Sequence, residues 1–205
     1  MPPTTFDSLE ILFFCVGILF AVTIQGAAQG ITVAIFQGST ESDVDRPQLN
    51  LNFFAHLDPL ALLVFFLGGF GWAKPAKVED QEFKSPRLAW LVIAFVSAFT
   101  NLLVAVTVSV LVDILGTSQA FHMVMLVNAT VFVYHFLVPI PPLASSRIIY
   151  ALLTPKNKGI WQWYSRLGPF LLLAMVVVER FTDIKIFGPL TKPFIDAIMT
   201  FCTTF

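Results

Sequence analysis

The chain has 205 residues, 57% of them hydrophobic and 12% charged, with a mean hydropathy of +0.80. So apolar a composition excludes an ordinary water-solvated domain. The formal charge of −1 excludes nucleic acid as a partner, because phosphate binding needs concentrated Lys and Arg; membrane lipid is the expected surrounding.

In chain order, Met1 to Asp7 carries no basic group and precedes an apolar run too long for a signal peptide, so it is expected to stay attached to a first span. Residues 11–40, 88–112 and 114–146 contain no Asp, Glu, Lys or Arg, and each holds the roughly 20 residues that cross a bilayer. A fourth span is expected to begin at Trp161, Trp163 and Tyr164, rings suited to a membrane interface, and to run to Val178. Beyond Gly188, Pro189, Lys192, Pro193 and Asp196 interrupt the apolar pattern, so 190–205 reads as a short interfacial or half-inserted helix rather than a full span. The fold class is therefore an all-α integral membrane bundle of four to five spans, and residues 1–205 read as a single transmembrane domain.

Between Asp58 and Lys74 lie only 15 uncharged residues, ending in Gly68-Gly69-Phe70-Gly71, where glycines weaken a helix. This stretch reads as a re-entrant segment whose free backbone must be covered by protein or water; a full crossing is the alternative. With re-entry, the loops at 37–56, 73–87 and 144–166 share one side and hold nine of the twelve Lys and Arg. The positive-inside rule makes that side cytoplasmic and puts the N-terminus on the other. The acidic patch Glu41, Asp43, Asp45 reads as a solvated loop. Cys15 and Cys202 fit neither a disulfide framework nor a zinc spacing and read as small buried hydrophobes.

Three stretches, His56-Leu57-Asp58-Pro59 with Gly68 to Pro75, then Asn101-Leu102-Leu103, then Pro139-Ile140-Pro141-Pro142-Leu143 with Ser146-Arg147, resemble the minimal site-2 proteases, intramembrane zinc metalloproteases. The likeness extends over most of residues 10–190 and implies a bacterial inner membrane, or an internal membrane derived from one. In that family a helix carries His-Glu-x-x-His, two zinc ligands and a base. The matching positions here are Gln25-Gly26-Ala27-Ala28-Gln29. The third family ligand, an aspartate, falls on Ala144. A family asparagine falls on Phe136, and the family's Ala-Gly-Pro falls on Val96-Ser97-Ala98.

A glutamine amide is a poor zinc ligand, and Gly26 and Ala144 have no donor side chain. The degenerate positions Gln25, Gly26, Gln29 and Ala144 therefore predict no catalytic residue, no metal and no cofactor: a scaffold that is not an enzyme. His122 and His135 are too far apart on one helix to share a metal, and His135 with His56 and two amides makes a weak zinc set. His135 is expected to hydrogen-bond inside the bundle, His56 to brace the re-entrant turn and His122 to lie near an interface.

Gln25 and Gln29 share a helix face, and Gly26 with Gly30 allows close helix approach. These four and His135 are candidate helix-packing or partner contacts. Gly68, Gly69, Phe70, Gly71 and Trp72 are a candidate peptide-binding strand. Glu179, Arg180 and Asp183 read as marking the outer end of their helix. Three functions follow from these readings: an accessory subunit bound to other integral membrane proteins, a regulator holding a transmembrane peptide or lipophilic ligand without cutting it, and a protease with an unfamiliar site.

Overall fold

A computed structural model describes residues 8–37, 53–75, 83–116, 118–153 and 158–204. Residues 1–7 and the acidic patch Glu41, Asp43, Asp45 lie outside the described residues. The described chain forms α1 (Ser8–Phe36), α2 (Phe53–His56), α3 (Pro59–Gly68), α4 (Pro86–Leu115), α5 (Gln119–Leu137), α6 (Ala144–Leu152), α7 (Lys158–Phe181) and α8 (Gly188–Thr204). Among the described residues there is no strand, only a lone antiparallel bridge between Gln37 and Phe83.

Among the described residues three helices are long and apolar enough to cross a membrane: Leu9–Phe36, Pro86–Leu115 and Gln119–Leu137. They make this a multi-pass membrane protein and correspond to the three charge-free runs. The shortest, with 19 residues, is about 28 Å long against a hydrocarbon core of about 30 Å. The expected all-α membrane bundle is borne out, and three of its four to five expected spans are long and apolar enough by this measure among the described residues. α7 is continuous through the expected fourth span, but Gln162, Ser165 and Arg166 dilute its first half. α8 is one helix of 17 residues despite Pro193 inside it.

α1, α4 and α5 pack on one another; α6 lies on α4, α8 on α5 and α3 on α7. The ten residues of α3 extend about 15 Å, half a hydrocarbon core. Asp58 starts this helix by accepting from the amides of Leu60 (2.9 Å) and Ala61 (3.3 Å), with Pro59 at the first position, where a missing N–H costs nothing. Gly69 ends it at φ 78°, a left-handed turn that glycine adopts without strain. The chain then runs extended to Pro75, and the amide of Lys74 donates to the carbonyl of His56 at 2.7 Å. The segment thus returns to where it began, as a re-entrant loop must.

The second carboxylate oxygen of Asp58 accepts from the indole N–H of Trp72 at 3.2 Å. This bond joins the two halves of the loop and explains why His-Leu-Asp-Pro and Gly-Gly-Phe-Gly-Trp occur together. Phe70 and Trp72 are buried with Tyr134, Val138, Leu143 and Leu172, and Phe70 stacks on Tyr134 with centroids 3.6 Å apart.

Glu179 corrects the sequence reading. It does not simply mark a helix end: it is 3% exposed, and its carboxylate accepts from the amides of Phe187 (2.9 Å) and Gly188 (3.0 Å). The acid at the end of α7 therefore caps α8, whose first amides lack helical partners. Hydrogen bonds to a charged group contribute about 1.5–3 kcal/mol. Glu179→Ala is expected to cost about that much in unfolding free energy and Glu179→Gln less, since one acceptor oxygen survives. Unfolding in mixed micelles measures both, and equal stability of the three proteins would remove Glu179 from this role.

Candidate functional site

The polar centre of the bundle is built around Gln25, which is fully buried. Its amide N–H donates to the Ser97 carbonyl of α4 at 3.2 Å and lies 3.2 Å from His135 Nδ1 on α5. Its oxygen accepts from the backbone amide of Ala73 in the extended segment at 3.0 Å. One side chain thus joins α1, α4, α5 and the re-entrant loop.

His135 sets its own tautomer. Its Nε2 faces the Gly71 carbonyl at 3.0 Å, so Nε2 carries the proton and donates; its Nδ1 accepts from the Ala144 amide at 3.1 Å. Only the neutral ring with the proton on Nε2 satisfies both contacts. The Ala144 amide opens α6 and has no helical acceptor, so His135 also caps that helix. Asn101 is fully buried, and its amide reaches the Ser97 carbonyl at 3.4 Å.

Gly26 sits against His56. A methyl group built on Gly26 would overlap the imidazole, so the ring occupies the space that any side chain at position 26 would need. Gln29 is buried, and its oxygen accepts from the Arg147 guanidinium at 3.2 Å; that guanidinium also lies 5.8 Å over the Trp90 ring, a cation–π distance.

The structure brings Gln25, Gly26, Gln29, Ala144 and His135 to one level of the bundle, and Gly30 is buried beside them on α1. All six face the inside of this chain. His122 is exposed in the first turn of α5. Cys202 is buried and Cys15 half-buried, both as free thiols.

The expected strand at Gly68 to Trp72 takes another form: Gly68 closes α3, Gly69 caps it, and the rest is an extended stretch with no partner strand among the described residues. Phe70 and Trp72 point into the core, and the Gly71 carbonyl is taken by His135. The sequence reading missed the joining of His135 to Ala144 and of Ser97 to Gln25. A backbone partner leaves no trace in residue identity, although a histidine just before the Pro-x-Pro-Pro turn is a usable signal.

The chain is 27% identical over 172 residues, covering 71% of its own length and 78% of the relative, to a protein of Bacillus subtilis (strain 168) named "Putative zinc metalloprotease YwhC". The chain is thus similar over most of its length to a protein named as a zinc metalloprotease, in keeping with the site-2-protease resemblance of its motifs. No protein-family model matches it, and no solved structure matches it significantly.

The relative overturns one expectation. A likeness to a protein named as a zinc metalloprotease points to a protease, so the expectation that this chain is not an enzyme is corrected. Zinc, the metal in the relative's name, takes imidazole, thiolate or carboxylate ligands. The donor set at this centre does not fit it: Gln25 spends its amide on three neighbours, Gln29 holds Arg147, Gly26 and Ala144 bring no donor atom, and both ring nitrogens of His135 are engaged. Among the described residues no three His, Cys, Asp or Glu side chains cluster as a metal-holding group.

The close approach of Gly26 and His56 gives a direct test. Gly26→Ala is expected to cost about 1–3 kcal/mol by overpacking, and the cost should vanish when His56→Ala makes room, since alanine is otherwise the better helix former. A double-mutant cycle on unfolding free energy reads the coupling, expected at about 1 kcal/mol or more. Additive effects would mean that the two residues do not touch.

Proposed function

We propose that this site-2-protease-like membrane protein works as an accessory subunit that binds other integral membrane proteins, residues 1–205 forming one transmembrane domain. The observation that supports this most is the bonding of Gln25. The middle of the bundle, where the family resemblance centres, is occupied by contacts that hold α1, α4, α5 and the re-entrant loop together. What the protein then offers its surroundings is outer surface. On α4 that surface exposes Phe95, Phe99, Leu103 and Ile114, an apolar face suited to lipid and to neighbouring helices alike.

The setting we propose is a bacterial inner membrane, or an internal membrane derived from one, with the N-terminus on the non-cytoplasmic side. The distribution of Lys and Arg among the loops supports that orientation.

A second reading, an intramembrane protease, is favoured by the name of the Bacillus subtilis relative. Solubilisation in mild detergent and purification from native membranes separates the two. The accessory reading expects other membrane proteins to copurify in fixed stoichiometry; a chain that runs alone as a monomer overturns it. One zinc per chain together with cleavage of an unfolded transmembrane substrate would establish the protease reading instead.

A further inference from the structure

A cavity of about 440 Å³ lies between α8 and the wall formed by α1 and α5, within the range of sites that hold small molecules. It is separate from the Gln25 centre. None of Gln25, Gly26, Gln29 and Ala144 lines it, and Phe14 precedes Gln25 by about 16 Å of helix.

One wall is apolar: Phe14, Met123, Leu126 and Val127, faced by Ile195 of α8. The α5 stripe from Met123 to Tyr134 is about 16 Å long, half of a hydrocarbon core of about 30 Å, which is the reach of one acyl chain in one leaflet. The rest of the lining is glycine, threonine and tyrosine together with four charged residues, Glu179, Lys185, Lys192 and Asp196. Lys185, Lys192 and Asp196 line the cavity and are exposed at its rim. Lys192 and Asp196 stand four residues apart on α8, a spacing that permits an ion pair, yet neither lysine pairs with a carboxylate among the described residues. Glu179, the other acid in the lining, is committed to the amides of Phe187 and Gly188.

Two ammonium groups against the one carboxylate of Asp196 leave the rim net positive, and a net positive rim beside an apolar trough in a membrane protein calls for an anionic group attached to hydrocarbon. We infer that this cavity binds an acyl-chain amphiphile with a singly charged anionic head, carboxylate or phosphate, the head held by Lys185 and Lys192 and the chain lying along Phe14, Met123, Leu126 and Val127. Asp196 on the same rim repels a second negative charge and favours a monoanionic head over a dianionic one.

Native mass spectrometry of the full chain in detergent, titrated separately with palmitate, a phosphatidylglycerol and a phosphatidylcholine, tests this. The wild-type protein should take up one palmitate or one phosphatidylglycerol per chain in preference to phosphatidylcholine; whichever binds tighter identifies the head as carboxylate or phosphate. Lys185→Gln with Lys192→Gln should weaken uptake about 10- to 100-fold, the loss of charge-assisted contacts. Ile195→Trp should block the trough with both cations intact. Equal uptake of phosphatidylcholine, no uptake of either anionic probe, or unchanged affinity in the lysine variant would each overturn the assignment. The head-group comparison uses unmodified protein and so does not depend on the variants folding.

Discussion

Inside a bilayer a backbone amide or carbonyl that leaves a helix must find its partner within the protein, because lipid offers none. In this fold that demand falls on the extended stretch after Gly69. The Gly71 carbonyl meets His135, the Ala73 amide meets Gln25, and the Lys74 amide meets the His56 carbonyl. Two of the three partners are side chains from membrane-spanning helices, so the loop can lie where it does only if α1 and α5 present Gln25 and His135 at matching levels. The register of the bundle and the path of the loop are one constraint, and α6 shares it because His135 also receives the Ala144 amide.

Much of this was legible in the sequence. Runs without charge marked α1, α4 and α5 because ionisation is so costly in hydrocarbon that absence of charge over about 20 residues is itself the signal. The shortness of the segment between Asp58 and Lys74, with its glycines, pointed to a loop that returns. Gln25 and Gln29 were legible as inward-facing because four residues make about one helical turn. Their partners were not. Gln25 bonds to backbone atoms of Ser97 and Ala73, and Gln29 to Arg147 across 118 positions of sequence; periodicity reports which face is buried, not what lies opposite.

Charged residues misled for a related reason. Glu179, Arg180 and Asp183 look alike as a cluster, yet only Glu179 is turned inward, where a helix start eight residues later supplies two amides. A carboxylate pays for burial when it receives N–H groups at a positive helix end. Sequence shows the acid but not the path between Phe181 and Gly188 that brings those amides to it. Span counting has the same blind spot in α7, where length alone suffices for a crossing but the first turns carry Gln162 and Arg166.

Gly26 shows how tightly the centre is committed to its present side chains. A glycine in mid-helix weakens that helix by up to about 1 kcal/mol relative to alanine, so its position needs a compensating gain. The His56 ring supplies it by lying directly on the glycine, which packs the re-entrant loop against α1 just where the Lys74 amide closes that loop on the His56 carbonyl. A larger residue at 26 would have to move His56, and with it the only backbone bond that joins the two ends of the loop among the described residues. Gly26 and His56 therefore act as one unit, separated by 30 residues of sequence and joined by the volume of a single side chain.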